Sequence, residues 1–442
     1  MKLRSLLLCL SLAAAAVTVQ AQNLLKLGEA TTTGIYIKDL RTGKVLAEEN
    51  SKTAMTPASV MKSIVTASVL SLCGADTCFT TDVALSGTVE NGICTGNLII
   101  RGTADPTVES EYFEENHGFC DSIAAALKKH GISRIEGDIE IIQNLSDAGP
   151  NLHWEVEDIA WPYGAALEGF NWRDNIVEVN LSTGTTRPEA PGLELCVLPG
   201  DDNDVVRGIY SNRVYIYRKP GEKPYSFKIS VPDPAAVFTS QMRRTLAQAG
   251  IETGEKPAAA DSAATVIYRH RSPAFGKIMK SLMVRSDNLF AEGMLRVLAP
   301  GKSRRQAIQR MKKLWDDRGI PTKCTTITDG SGLARNNRLS PRFIASVLEW
   351  MSKSPMAEEY ASYFPRAGKD GTLKGFLAKT PLAGQIVLKT GSVGGVQCYA
   401  GYKLDKDKRP THVVVIMVNS FFGTRTTVRK ASENLLKRLF IK

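Results

Sequence analysis

Hydrophobic and polar positions alternate in short runs near both ends of the chain, and the texture changes in between. Residues 34–38 and 44–48 flank Arg41-Thr42-Gly43, which predicts a β-hairpin. Pro57 then opens an apolar, helix-permissive run from Ala58 to Leu72 that Gly74 stops. Near the C-terminus, 385–388, 398–404 and 412–419 read as strands, with turns at Gly394-Gly395 and 405–410. The apolar residues of the first of these stop abruptly at Lys389. Together the strands predict one five-stranded antiparallel sheet flanked by helices. A final helix over 426–441 carries Val428, Leu435, Leu439 and Phe440 on one side, as expected of a helix packing back on that sheet or, less commonly, of a membrane-surface anchor.

From 74 to 263 the pattern breaks into short β segments and turns. Strand candidates 79–86 and 93–101 flank Glu90-Asn91-Gly92, a helix over 120–129 ends at Gly131, and 135–142 reads as one strand. Breaks rich in Pro and Gly at 187–191, 198–204 and 219–224 suggest a smaller module nested within this region. A helix over 235–249 and a linker at 254–264 lead back. The expected architecture is α+β and multidomain. One domain is built from 22–73 and 264–442. A mostly-β insertion, 74–263, divides into two small domains, about 74–150 with 232–263 and about 151–231.

The first residues change where this fold must work. Lys2 and Arg4 precede an apolar run from Leu6 to Val17, and Val19-Gln20-Ala21 supplies small residues before Gln22. That is the pattern of a signal peptide over 1–21, so the mature chain is expected to be exported to the periplasm or cell envelope. No later stretch is apolar for long enough to predict a transmembrane helix. The formal charge is +11, two of it from Lys2 and Arg4. A basic surface suits anionic envelope polymers but equally an ordinary solvated surface. With no aromatic-interleaved basic patch and no dinucleotide or P-loop fingerprint, nucleic acid and nucleotide partners are not expected. Seven of the eight cysteines remain after residue 21. Export permits disulfides, and Cys73 and Cys78 are near in sequence, but connectivity is unreadable. No Cys pair has metal-ligand spacing and the histidines are scattered, so neither a metal nor a cofactor is expected.

Three polar clusters carry the candidate chemistry. Ser59-Val60-Met61-Lys62 is the only Ser-x-x-Lys, near the start of a helix, where spacing of three puts both side chains on one face. A serine hydroxyl needs an adjacent base, and a lysine serves only if desolvation and a neighbouring cation depress its pKa. The apolar flanks supply the first and Lys389 could supply the second. Ser286-Asp287-Asn288 interrupts two helical runs, 275–284 and 289–298. There Ser286 could relay a proton, while the Asn288 amide holds Lys62 and a substrate carbonyl. Lys389-Thr390-Gly391-Ser392 could bind a carboxylate through Lys389 and the two hydroxyls. Gly391 would let an extended peptide approach the strand edge. The backbone N–H groups of Ser59 and Ser392 would form an oxyanion hole. Each cluster has a bland reading: a solvated helix start, a helix junction, a β-turn. Their joint presence in this order favours a serine acyl-transfer enzyme without histidine.

These clusters, separated by a long insertion, resemble the class C low-molecular-mass penicillin-binding proteins, the D-alanyl-D-alanine carboxypeptidase/endopeptidases. Thr56–Lys62, 286–292, Asp329-Gly330-Ser331-Gly332-Leu333, 337–341, 367–373 and Met417-Val418-Asn419 all fit that pattern. Arg101–Thr107 is similar to a family turn that usually has Gly where Ala104 stands. The resemblance implies a penicillin-binding, serine β-lactamase-like domain and attack by Ser59 on a peptidoglycan stem peptide ending in D-Ala-D-Ala. Lys62 would be the base, and Ser286 and Lys389 would protonate the leaving D-alanine. β-Lactams would acylate the same serine. The alternatives are a β-lactamase, although no Glu-x-x-Leu-Asn loop is present, and a non-catalytic wall-binding or β-lactam-sensing protein. A Gly-x-Ser-x-Gly esterase elbow is absent.

Overall fold

The chain is described by a computed structural model covering residues 23–221, 226–258 and 264–441. The signal-peptide candidate and residues 259–263 of the 254–264 linker lie outside the described residues. The two ends of the chain meet in one five-stranded sheet, ordered Ile386–Val393, Val396–Leu404, Pro410–Asn419, Thr32–Asp39, Val45–Glu49. Every neighbouring pair is antiparallel. Its strands are buried on both faces. Helix Met61–Cys73 with Phe275–Arg285, Asn288–Arg296, Arg304–Asp317 and Pro341–Ser352 covers one face. The C-terminal helix Arg425–Phe440 covers the other, through Val428, Leu435 and Leu436.

Two sequence expectations fail for strands. Ile386–Val393 does not end at Lys389: its polar second half goes on pairing with Val396–Leu404, and a two-residue turn at Gly394-Gly395 closes the hairpin. The apolar pattern stops because this edge strand turns functional side chains inward, not because the ladder stops. The predicted strand 135–142 is two strands, Arg134–Ile135 and Ile139–Gln143, in different sheets. Gly137 separates them where the backbone passes Gly96 so closely that a Cβ would lie 2.5 Å from its carbonyl oxygen.

The inserted region holds four smaller sheets around a second core that includes Ile100, Phe119, Phe170, Trp172 and Phe238. Thr80–Ser86 pairs with Leu98–Gly102 and also with Ala264–Arg271. The returning strand Ala264–Arg271, expected to belong with the end segments, thus pairs with a strand of the inserted region. Ala104, standing at the usual glycine position, adopts φ 60°. All seven cysteines of the described residues are unpaired, Cys73 and Cys78 included.

Candidate active site

Ser59 is presented by strained backbone. The α-helix begins only at Met61, and residues Ala58–Val60 form a 3-10 turn. Spacing of three in a 3-10 turn stacks side chains directly, so Ser59 and Lys62 meet. Ala58 has φ 46°, a left-handed conformation that costs a non-glycine residue about 1 kcal/mol or more. Two glycines hold the turn. A Cβ on Gly332 would lie 1.9 Å from the Ala58 carbonyl oxygen. A Cβ on Gly391 would lie 2.6 Å from the Pro57 oxygen and 3.0 Å from the Ser59 nitrogen. Gly391 therefore makes room for the turn that carries Ser59.

The Lys62 ammonium is fully buried and donates to Ser59 Oγ at 2.9 Å, Asn288 Oδ1 at 2.6 Å and the Ser331 carbonyl at 2.6 Å. Burial pushes its pKa down to about 8, against the opposing pull of Asp329, Asp287 and Glu292. The Ser331 carbonyl is held in place from behind. Glu292 Oε1 accepts from the backbone N–H of Gly330 and of Ser331, each at 2.9 Å. Asp329 accepts from Gly332 N, Ala334 N, Asn337 Nδ2, Ser331 Oγ and, from the inserted region, Trp154 Nε1.

Ser286 and Asn288 reach the site because two helices meet there. Ser286 caps Phe275–Arg285 in a left-handed conformation, φ 66°, and the Asp287 carboxylate caps Asn288–Arg296 by accepting from Phe290 N at 2.9 Å. This junction aims Ser286 at the Lys389 ammonium, which donates to its Oγ at 2.8 Å and to the Thr390 carbonyl at 2.7 Å. Asn288 Nδ2 donates to the Tyr163 carbonyl of the inserted region at 2.8 Å, which fixes the side-chain oxygen toward Lys62. Lys389 is fully buried, and burial together with the charge of Lys62 drives its pKa well below the usual ammonium range. Its side chain lies behind the cleft lining rather than among the residues that line it.

The three clusters thus converge, and Ser59, Ser286, Thr390 and Ser392 share a cleft of about 310 Å³. Thr390 Oγ1 donates to Thr372 Oγ1 at 2.8 Å, and Ser392 Oγ to Gln397 Oε1 at 2.7 Å. Ladder bonding alternates along an antiparallel strand. The Gly394-Gly395 hairpin pairs Val393 with Val396, so Leu388, Thr390 and Ser392 direct their N–H groups off the sheet edge. Leu388 N, with the same parity, donates outward to the Pro365 carbonyl at 3.2 Å.

The sequence reading missed the Ser331 carbonyl, Thr372, Arg425 and Arg429. Ser331 acts through a backbone atom, for which residue type gives no signal. Thr372 lies within 367–373, a segment that fits the family pattern but carries none of the three polar clusters.

Over residues 14–439 the sequence matches the D-Ala-D-Ala carboxypeptidase 3 (S13) family. The chain belongs to that family. It is 28% identical over 415 residues to the D-alanyl-D-alanine carboxypeptidase DacB of Haemophilus influenzae, covering 85% of this chain and 83% of that protein. Its fold is similar to the crystal structure of penicillin binding protein 4 from Haemophilus influenzae, with TM-score 0.82, 24% identity and coverage of 96% and 99% of the two chains. That protein complexed with a β-lactam gives TM-score 0.75 at 24% identity, covering 94% of this chain and 97% of that one. Among the described residues no helix is long and apolar enough to cross a membrane, and no cluster of His, Cys, Asp and Glu could hold a metal ion.

Proposed function

We propose that this S13-family chain is a serine D-alanyl-D-alanine carboxypeptidase that cleaves peptidoglycan stem peptides through an acyl-serine, and an endopeptidase where the leaving residue belongs to a cross-linked peptide. The reading rests on the 2.9 Å contact between the Ser59 hydroxyl and the buried Lys62 amine. The neutral amine takes the Ser59 proton as Oγ bonds to the carbonyl carbon of the penultimate D-Ala. The oxyanion is met by the N–H groups of Ser59 and Ser392. As the tetrahedral intermediate collapses the C–N bond breaks, and the leaving amine receives a proton through Ser286 from the Lys389 side. Asn288 holds Lys62 and the substrate carbonyl, and the hydroxyls of Thr390 and Ser392 face the terminal carboxylate. Gly391 leaves space for the nucleophile's turn. Water then hydrolyses the ester. A β-lactam follows the first half of this sequence, and its relatives' name as penicillin-binding proteins supports the same chemistry here.

The Lys2–Val17 pattern supports export to the cell envelope. The division proposed for the mature chain is a penicillin-binding domain from both ends and an inserted region of two smaller domains, with its return boundary near residue 271. Labelled penicillin incubated with wild type and Ser59→Ala, followed by mass spectrometry of muropeptide digests, tests the assignment. Label should attach to the wild type alone. Label retained by Ser59→Ala would displace Ser59 as nucleophile, and unchanged muropeptides alongside a labelled wild type would make the protein a β-lactam sensor.

A further inference from the structure

The cleft that holds Ser59 and Ser286 is also lined by Arg425 and Arg429, and nothing in the mechanism above employs them. Both lie in the first turns of the C-terminal helix, with Thr426, so the positive end of that helix faces the cleft. Arg425 is exposed, and among the described residues no carboxylate pairs with it. Arg429 is only loosely paired: its Nε stands 4.0 Å from a Glu433 oxygen that already accepts from Leu377 N. That Nε is buried without a hydrogen-bond partner. Arg429 also sits beside Tyr399, on whose hydroxyl its charge acts, and Tyr399 is the cross-strand partner of Thr390. A cross-strand pair shares one sheet face, and Thr390 and Arg429 line the same cleft.

The Lys389 ammonium is buried and engaged by Ser286 and the Thr390 carbonyl, whereas the two arginines line the open cleft. Building on the proposed function, we infer that Arg429 and Arg425 form the cationic side of the clamp for the leaving residue's α-carboxylate. Thr390 and Ser392 supply hydroxyls to it, and Lys389 works behind them on the proton. The clamp makes the arginines specificity determinants: they select a substrate with a free terminal carboxylate next to the scissile bond.

The test compares an acyl-D-Ala-D-Ala peptide with the same peptide ending in a carboxamide, using the full-length mature protein. Arg425→Ala and Arg429→Ala should each lower kcat/KM for the acid by about tenfold, the range for one charge-assisted hydrogen bond, chiefly through KM. The carboxamide should change less than twofold, and Arg429→Lys should recover part of the loss. Lys430→Ala, which removes an exposed charge from the same helix, should alter neither substrate. Equal losses on acid and amide, or no loss on either in variants that melt like the wild type, would overturn the clamp. Because Arg425 is exposed, Arg425→Ala keeps the question open to test even if Arg429→Ala fails to fold. A wild type that cleaves neither peptide would instead overturn the proposed function, and the clamp with it.

Discussion

Replacing Gly391 with alanine would insert one methyl group into a gap bounded by backbone. The new Cβ would lie 2.6 Å from the Pro57 oxygen, 2.9 Å from the Val60 nitrogen and 3.0 Å from the Ser59 nitrogen, where 3.4 Å is an ordinary contact. No side chain can swing away, so either the 386–393 strand or the 58–60 turn must yield by several tenths of an ångström. Forced overpacking of this kind costs about 1–3 kcal/mol of stability. The larger effect falls on chemistry. An oxyanion donor acts only at about 2.7–3.1 Å, and losing one costs about 10²–10³-fold in rate. Moving the Ser59 N–H by half an ångström therefore predicts a loss of at least tenfold in acylation.

Gly395→Ala is the matched control, in the same hairpin. Gly395 has φ 68° and nothing within 4 Å of its would-be Cβ, so alanine there costs about 1 kcal/mol of backbone strain. It should leave the site untouched. Acylation by fluorescent penicillin, followed over time, and melting temperature separate the two effects. The expected result is a slow Gly391→Ala and a Gly395→Ala that is slightly less stable but equally fast. Wild-type acylation by Gly391→Ala would refute the idea that this glycine sets the position of the nucleophile.

Three further outcomes are expected. Since Lys62 must be neutral to act as base and its pKa is near 8, kcat/KM should rise with pH and level off just above that value; a flat profile from pH 6 to 9 would contradict the assignment. The same depressed value means the unfolded chain holds a proton that the folded site has lost between about 8 and 10.5, so this group makes stability increase with pH across that window, as melting curves should detect. Asp329→Asn turns an acceptor of five hydrogen bonds into a group that clashes with some of its own donors. A destabilisation of about 3 kcal/mol or more in urea is expected, and a change below about 1 kcal/mol would be at odds with the network. Asn288→Ala removes an acceptor from Lys62 and orphans the Tyr163 carbonyl. Acylation should drop by about tenfold or more, and a wild-type rate would show that the amide only fills space.

Much of the fold was legible because its signals are local. Gly74 stops the nucleophile helix and the turn residues around Gly43 close the first hairpin. The Ser286-Asp287-Asn288 break is marked by an αL cap followed by an N-cap. What escaped was nonlocal. The pairing of 264–271 with 80–86 is set by a register across the whole inserted region, which no window of sequence contains. The second half of strand 386–393 looked like a turn because a buried lysine breaks the apolar alternation. It is tolerated there only because Ser286 and its own neighbour's carbonyl accept its protons. The proposed nucleophile, relay and clamp hydroxyls showed themselves as side chains. The Ser331 carbonyl did not, since a backbone acceptor is chosen by loop geometry, here by Glu292 and Asp329.

Two lysines share one buried site, and their surroundings decide which of them holds the proton at rest. Lys62 has three acceptors and feels Asp329, Asp287 and Glu292, all of which favour its charged form. Lys389 has two acceptors and only the repulsion of Lys62. The surroundings of Lys62 thus favour its charged form, while burial and the charge of Lys62 oppose that of Lys389. On the proposed roles, a substrate carboxylate arriving beside Thr390 and Ser392 supplies the anion that Lys389 lacks. It favours the charged form of Lys389, and that charge next to Lys62 lowers the cost of discharging Lys62. The base would then be freed by the substrate that needs it. The consequence is measurable: the pH limb of kcat, which reports the bound complex, should lie below that of kcat/KM, which reports the free enzyme. The separation should vanish for an ester substrate that has no carboxylate, and its persistence there would break the link between carboxylate binding and the proton on Lys62.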